Sequence, residues 1–331
     1  MKRHSAPLGM NDARGFSLIE LMVSLTIGLI LMVAVISAYL GSAGASRMAE
    51  AQGRMNEDGQ AALAILAEQV RMAGANPLQS AYTTSQPNSN FASNPVYGTG
   101  TSYIAVRGCD GTFTDIKTAT STLVLSCTAG TNTDRDSIAV SYEADVYNTA
   151  PTTATPPVPT DCLGQGLPIP PFNGAATVSN GTTTSTIAVP VYKVADNRFF
   201  IGTSTTIITP SLYCQGNGSF NNAQPLVENV EDMQILYGTS SLPVGSTKTV
   251  AGYLTANQVV SDTALNPMTL AERWSRVSTV RICVLVRSEQ PIVSDLASAQ
   301  YVKCDGTVET NPPDRRLRRA YTTTVMMRNA T

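Results

Sequence analysis

The sequence predicts an α+β protein in which one long N-terminal helix precedes a β-rich head that carries disulfides. Three observations predict this fold class. No proline occurs between Leu18 and Ala73, and the first half of that stretch is almost entirely apolar. Beyond Pro77, apolar residues alternate with polar ones and are separated by turn-forming Thr, Asn, Gly and Pro. All six cysteines lie in this second part of the chain.

The helix is predicted to cover residues 16–76, because Gly74, Asn76 and Pro77 together form a helix stop signal. At 1.5 Å per residue, the roughly 56 residues from Leu18 to Ala73 would reach about 84 Å as an unbroken helix. The run from Leu21 to Ser46 contains no charged residue. A hydrocarbon core of about 30 Å needs about 20 apolar residues. Residues 18–46 are therefore expected to span a membrane or to lie in the core of a fibre.

The second half of the predicted helix has a different pattern, with one apolar stripe among charged residues. The stripe recurs at intervals of seven and four residues, which places its members on one helical face; they are Met48, Met55, Ala62, Leu66 and Val70. Such a face packs on a globular domain. The head itself is predicted to extend over residues 77–331, with long Thr-, Asn- and Pro-rich loops at 79–101 and 147–181.

The cysteines are even in number, which in an exported region indicates disulfides. They are Cys109, Cys127, Cys162, Cys214, Cys283 and Cys304. Fifteen connectivities are possible, and the low closure cost of short loops favours pairing in chain order: 109 with 127, 162 with 214, and 283 with 304. A metal or redox cluster is disfavoured because no Cys-x-x-Cys occurs.

Composition disfavours several classes of function. The single histidine, His4, lies in front of the apolar segment, so the rest of the chain offers neither a Ser-His-Asp triad nor a histidine metal ligand. We therefore expect no catalytic residue, no metal and no cofactor. The formal charge of −2 gives no basic surface of the kind that binds nucleic acid, and none is expected as a partner.

Glu20 is the residue that points to a function. It stands alone at the start of the apolar run, in the sequence Arg14-Gly-Phe-Ser-Leu-Ile-Glu20. A carboxylate in or beside hydrocarbon costs roughly 2.5 to 3.5 kcal/mol, so a partner charge is expected. An ordinary signal peptide is the alternative. Its cleavage site would follow the apolar run, near the small residues 43–45, and Glu20 would then serve no purpose.

The segment from Gly15 to Val23 resembles the processing site of type IV prepilins, which it matches without a gap. The resemblance implies that residues 1–15 are a leader, cut between Gly15 and Phe16 by a prepilin peptidase that also methylates the new amino terminus of Phe16. Glu20 is then the fifth residue of the mature chain. Its carboxylate is expected to neutralise the terminal amine of a neighbouring subunit during assembly.

Three blocks of the head are similar to PilW-type minor pilins and to their J-type pseudopilin relatives. They are Leu226–Gly238, Trp274–Ile282 and Arg318–Asn329. The resemblance implies a pilin-like fold and a minor subunit that primes a type IV pilus from a tip-proximal complex and supports adhesion and twitching motility.

The same resemblance implies partners and a location. The partners are the prepilin peptidase, other minor pilins, the major pilin, the inner-membrane assembly platform and a large tip adhesin. Before assembly the subunit is a single-pass inner-membrane protein with a cytoplasmic N-terminus and a periplasmic head; afterwards it lies in the pilus at the cell surface. Two alternatives remain: a J-type pseudopilin of a type II secretion system, and a membrane-anchored surface protein whose Thr and Asn loops bind a ligand.

Three further patterns are interpreted as structural. Asn132, Asp134, Asp136 and Glu143 occupy positions of a calcium-loop template, but Ser137 replaces the required glycine and residues 137–142 alternate like a strand. The basic residues Arg315, Arg316, Arg318 and Arg319 are interpreted as charges that protect the edge of a terminal strand. Trp274 and the region of Tyr237 are expected in the core or in a subunit contact.

Overall fold

The structure is a computed structural model that describes residues 15–75, 104–114, 116, 125–131, 134–167, 175–179, 184–188, 193–205, 207–219, 222–240, 250–262 and 268–329. The leader up to residue 14, the predicted loop at 79–101 and Asn132 of the calcium template lie outside this set. The chain divides into two compact units, residues 1–50 and residues 51–331.

The N-terminal helix, α1, runs from Leu18 to Met72, which confirms the prediction of a long helix. It ends just before Gly74, whose φ of 72° is the left-handed conformation that glycine adopts most readily after a helix. The Gly74 amide donates to the carbonyl of Ser141, 2.9 Å away, so the helix end is tied to the sheet that follows.

The unit of residues 51–331 is mainly β-structure, which confirms the α+β class. Its thirteen described strands are β1 Val106–Cys109, β2 Ser137–Ala144, β3 Ala175–Ser179, β4 Thr184–Ala188, β5 Lys193–Gly202, β6 Ser211–Gln215, β7 Gln224–Glu228, β8 Val230–Ser240, β9 Val250–Leu254, β10 Val277–Arg287, β11 Tyr301–Val302, β12 Val308–Glu309 and β13 Arg318–Met326. Its described helices are α2 Ala256–Ser261, α3 Leu270–Ser275 and a short 3₁₀ helix, Ala297–Ala299.

Two sheets form the head. The first has the strand order β1-β2-β5-β6-β7, and the second has the order β13-β10-β8-β9. Two separate hairpins, β3-β4 and β11-β12, complete the described strands. All described pairings are antiparallel. The chain passes from the first sheet to the second at Asn229, a non-glycine residue with a positive φ of 62° between β7 and β8.

Strand β10 is central in its sheet, as its apolar sequence predicts. It pairs with β8 on one side and with β13 on the other, and it is buried along its length except at its end and at Arg281. The Arg281 guanidinium lies 4.1 Å from the centre of the Tyr253 ring, so its charge rests on an aromatic face. A strand with neighbours on both sides needs apolar residues on both faces.

Other strand predictions succeed unevenly. Alternation of apolar and polar residues predicts strands at 137–142, 233–237 and 319–328, where β2, β8 and β13 lie. It also predicts strands at 206–212 and 102–106, but the structure has them at 211–215 and from Val106 onward. Strands β7 and β9 were not predicted; both lie at the edge of a sheet, where alternation is weak. The predicted loop at 147–181 contains β3, so it is not loop throughout.

The C-terminal part of α1 supplies one wall of the head's core. Its buried residues follow the predicted stripe from Met55 to Val70 and join a cluster with apolar residues of both sheets. Two polar contacts fix this part of the helix: the Tyr321 hydroxyl and Asn56 Oδ1 are 2.7 Å apart, and Asn197 Nδ2 donates to Gln69 Oε1 at 2.7 Å. The amphipathic half of the helix is therefore an integral part of the head.

Gly59 permits a close contact between α1 and β13. A Cβ atom at this position would lie 2.5 Å from Cδ2 of Tyr321, whereas a Cβ at Gly53, one and a half turns earlier, would meet nothing within 4 Å. We expect Gly59→Ala to destabilise the head by about 1 to 2 kcal/mol, because the steric cost exceeds the helix-propensity gain of about 1 kcal/mol.

The matched control is Gly53→Ala, which gains the same propensity without a clash and should be neutral or stabilising. Urea unfolding of the full chain in detergent, followed by circular dichroism, measures both. Equal midpoints for the two variants would contradict the proposed contact.

Three disulfides tie the loops of the head to its sheets. Cys109 of β1 bonds Cys127, Cys162 bonds Cys214 of β6, and Cys283 of β10 bonds Cys304 between β11 and β12; the Cα atoms are 5.5, 6.6 and 5.7 Å apart. These are the three pairs that chain order favours. Each links a strand to an irregular segment, which limits the freedom of that segment.

A buried charge network crosses the first sheet. Asp196 of β5 is fully buried and accepts hydrogen bonds from Arg107 of β1 at 3.3 Å, from Arg198 at 3.1 Å and from the hydroxyl of Ser141 at 3.0 Å. Burial alone would raise the pKa of the Asp196 carboxyl, but the two guanidinium groups hold that pKa below its usual value. The sequence analysis did not identify this network, because its members lie on separate strands.

Candidate processing and assembly site

The start of α1 is held by a local hydrogen-bond arrangement. Ser17 precedes the helix, and its carbonyl accepts from the Leu21 amide at 3.1 Å, which closes the first turn. The Glu20 carboxylate accepts from the Ser17 amide at 3.4 Å. This is the acidic half of a capping box, and it places a negative charge at the positive end of the helix dipole. Glu20 therefore has a local role at the helix start.

Gly15 and Phe16 are open to solvent. A Cβ at Gly15 would meet no heavy atom within 4 Å, and 85% of the Phe16 surface is exposed. Neither residue belongs to α1, which begins at Leu18. The peptide bond between them therefore lies outside the helix.

The helical surface behind this site is apolar and exposed. Large apolar side chains from Leu18 to Leu40 are all more than half exposed. Within it, the hydroxyls of Ser24, Thr26 and Ser37 donate to backbone carbonyls three residues earlier at 2.9 Å, so these polar groups need no water. Among the described residues, α1 is the one helix that is long and apolar enough to cross a membrane.

The calcium template does not form a site in the described structure. Asp134 accepts from Thr131, while Asp136 accepts from the Ile235 amide at 2.6 Å. Glu143 lies seven residues beyond Asp136 along an extended strand, roughly 23 Å away at about 3.3 Å per residue. In the described part of the chain no group of three or more His, Cys, Asp or Glu side chains is placed to hold a metal ion. The strand interpretation of these residues is therefore correct.

The arginine patch is only partly what the sequence suggests. Arg319 is exposed on the edge strand β13, as edge protection requires. Arg318 is different: its side chain is 1% exposed and binds Glu231 at 2.5 Å and Asp314 at 2.8 Å. Edge protection is therefore the wrong interpretation for Arg318, which is a buried ion-pair residue.

Trp274 lies in the core, as expected. Its ring meets that of Tyr237 edge to face, with centroids 4.9 Å apart, and both side chains are buried. They therefore stabilise the contact between α3 and β8 within the head.

Comparison with known families gives two matches, one at the start of the chain and one in the head. Residues 10–36 match the prokaryotic N-terminal methylation motif, and residues 198–329 match the family described as type IV pilus-assembly protein W, PilW. Together the two matches support a type IV pilus minor pilin of the PilW type. No curated protein and no solved structure matches the chain.

The two PilW-type features map onto different parts of the fold. The methylation motif covers the cleavage region and the first part of α1, and it implies processing by a prepilin peptidase and assembly with other pilins. The PilW match begins within β5 and includes the whole second sheet. The three head blocks that resemble PilW-type pilins all lie within this match.

One member of the site was not singled out from the sequence. Ser17 lies within the prepilin motif, and the structure shows that its backbone amide donates to Glu20. The signal was present, because Ser-x-x-Glu immediately before an apolar run is the sequence pattern of a capping box.

Proposed function

We propose that this PilW-type pilin is cut between Gly15 and Phe16, is methylated on the new amino terminus, and is incorporated through Glu20 into a type IV pilus. The observation that supports this proposal is that the exposed residues Gly15 and Phe16 directly precede an exposed apolar helix with a carboxylate, Glu20, in its first turn. In the pilus, this protein acts as a tip-proximal minor subunit that primes assembly and supports adhesion and twitching motility.

The physical basis is charge neutralisation. Cleavage creates an ammonium group on Phe16 of each subunit, and Glu20 carries the opposite charge at the edge of the hydrocarbon. Both groups are costly to leave unpaired in an apolar environment, so contact between the amine of one subunit and Glu20 of another favours assembly. The apolar surface of residues 18–40 faces lipid before assembly and other pilin helices afterwards.

The proposal also gives a location and an architecture. Residues 1–15 form the leader, residues 16–76 the helical segment, and residues 77–331 the head. The unassembled subunit lies in the inner membrane with its N-terminus in the cytoplasm and its head in the periplasm. The expected partners in the pilus are other minor pilins, the major pilin and a tip adhesin.

Mass spectrometry of the mature amino terminus tests the processing step, and Gly15 supplies the variants. We expect native protein to begin at methylated Phe16. Gly15→Glu should block cleavage, because a bulky charge occupies the position of the cut, whereas Gly15→Ala should be cut at a reduced rate. A native chain that begins at Met1 or beyond Ser46 would refute the proposal.

Pilus fractions distinguish the pilin from the two alternatives. A processed chain in sheared surface pili supports the pilin role, since the match to the pilus-assembly family favours that machine. A processed chain that is absent from pili and required for protein secretion would instead indicate a pseudopilin. An uncut detergent-soluble monomer would indicate a membrane-anchored binding protein.

A further inference from the structure

A buried acidic residue, Asp136, lies at the seam between the two sheets of the head. Asp136, just before β2 of the first sheet, is almost fully buried, and its Oδ2 accepts from the Ile235 amide of β8 in the second sheet at 2.6 Å. The Asp136 amide donates to the Met233 carbonyl at 2.8 Å. Asp136 therefore joins the two sheets by bonds from both its backbone and its side chain.

Two polar atoms at this seam have no hydrogen-bond partner among the described residues. They are Oδ1 of Asp136 and the hydroxyl of Tyr237, which is 1% exposed. The Tyr237 hydroxyl occupies the space beside Gly108, where a Cβ would collide with it and would lie 3.1 Å from the Ser137 carbonyl. The glycine thus lets the phenol reach the backbone next to Asp136.

A second buried carboxylate lies close to the seam. Asp110, at the end of β1, accepts from the Ala256 amide at 2.7 Å and from the Asn257 amide at 3.3 Å, and so caps α2. Three acids add repulsion that raises the pKa of Asp136: Asp110 just after β1, Asp232 from β8 and Asp134 from its own segment. A cation, Arg135, precedes Asp136 in the chain and acts on Asp232.

We propose that Asp136 is a proton-binding site which holds the two sheets together, and that loss of its proton loosens the seam around Tyr237 and Trp274. A neutral carboxyl still accepts from the Ile235 amide and avoids repulsion with Asp110. An ionised one places a charge in the buried seam while its Oδ1 has no hydrogen-bond partner among the described residues, which is costly. The inference concerns the head alone and does not rest on the proposed role in the pilus.

The direction of the pH dependence follows from the environment. Burial raises the pKa of Asp136 to about 8, against the opposing Ile235 hydrogen bond and with the added repulsion of Asp110. In the unfolded chain the same carboxyl loses its proton near pH 4. The contribution of the bound proton to stability is therefore complete below about pH 4 and is lost as the pH rises through about 8.

The single tryptophan of the chain provides the measurement, because Trp274 contacts Tyr237. We expect the fluorescence of the full chain in detergent to shift to the red with a midpoint near pH 8 between pH 5.5 and 9.5. Asp136→Asn, which keeps the acceptor oxygen, should abolish the transition. Asp134→Asn is the matched control: hydrogen bonds from Thr131 lower the pKa of that exposed carboxyl, and its charge acts on Asp136 less than that of Asp110. The transition should therefore persist in Asp134→Asn, with a midpoint closer to the native value than in Asp110→Asn.

Two further measurements keep the proposal testable if Asp136→Asn fails to fold. Asp110→Asn retains a cap for α2 but removes the repelling charge, so its midpoint should lie at lower pH than in the native chain. An unchanged midpoint, or a transition that persists in Asp136→Asn, would overturn the proposal. So would a transition that millimolar Ca²⁺ abolishes in the native chain, since the site would then bind a cation in place of a proton.

Discussion

Glu20→Ala should leave processing intact and remove the subunit from the pilus. The bond proposed to be cleaved lies four residues before Glu20, and a Cβ at Gly15 would meet no heavy atom within 4 Å. Without the Glu20 carboxylate, the amino-terminal ammonium group of the neighbouring subunit would have no counter-charge. An unpaired charge in hydrocarbon costs roughly 2.5 to 3.5 kcal/mol, which corresponds to a loss of incorporation of about a hundredfold.

The measurement is the ratio of subunit in sheared pili to subunit in the membrane, together with the mass of the mature amino terminus. Glu57→Ala is a suitable control, because it removes an exposed acid from the same helix within the head. It should be incorporated normally. Normal incorporation of the processed Glu20→Ala chain would contradict the assembly role of this carboxylate.

Glu231→Gln should destabilise the second sheet by about 3 kcal/mol. Arg287 of β10 and Arg318 of β13 are directly opposite each other in the strand register, where like charges destabilise. Glu231 of β8 binds both: its Oε2 lies 2.5 Å from Arg318 Nε, and its Oε1 lies 3.6 Å from Arg287 Nη1. The carboxylate therefore neutralises a pair that would otherwise repel.

Asp314, the other carboxylate of this charge cluster, cannot replace Glu231. Asp314 also binds Arg318 at 2.8 Å, but it lies 3.3 Å from Arg316 as well, so the described cluster contains three guanidinium groups and two carboxylates. Although burial lowers the pKa of the Arg318 guanidinium, Glu231 and Asp314 raise it overall, so Arg318 stays charged. Breaking a buried ion pair typically costs 3 to 5 kcal/mol, and we expect about 3 kcal/mol here because Asp314 remains.

An exposed ion pair of the same head provides the control. Arg54 and Glu289 are 3.2 Å apart with side chains 61% and 60% exposed, and Glu289→Gln should change the free energy of unfolding by less than about 1 kcal/mol. Chemical unfolding in detergent measures both variants. The double change Glu231→Gln with Arg287→Gln should recover part of the loss, because it removes one of the opposed cations. Equal effects of Glu231→Gln and Glu289→Gln would contradict this account.

The elements that sequence reasoning placed well are those with one dominant physical signal. The proline-free apolar run placed α1, and the glycine after it placed its end. The continuous apolar run of β10 marked it as central, because only a strand with neighbours on both sides hides both faces. Chain order led to the observed disulfide pairs because short loops cost little entropy to close.

The features that sequence reasoning misplaced depend on contacts between residues that are far apart in the chain. Arg318 lies in a basic run and resembles a protective surface charge, yet Glu231, 87 residues earlier, draws it into the interior. The edge strands β7 and β9 have weak alternation, since only one side of each pairs with a described strand. The short helices α2 and α3 carry capping boxes at Thr255 and Thr269, a local signal that was present and not used.

The sequence by itself determined the processing motif, the apolar helix and the chemical identity of the lone acid, because each of these is a property of consecutive residues. The tertiary structure decided which charges are buried, which glycine admits an aromatic ring, and which carboxylate lies buried at the sheet seam. Those outcomes depend on the distance between groups that are far apart in the chain. Electrostatic and steric energies vary with that distance, and only the folded packing sets it.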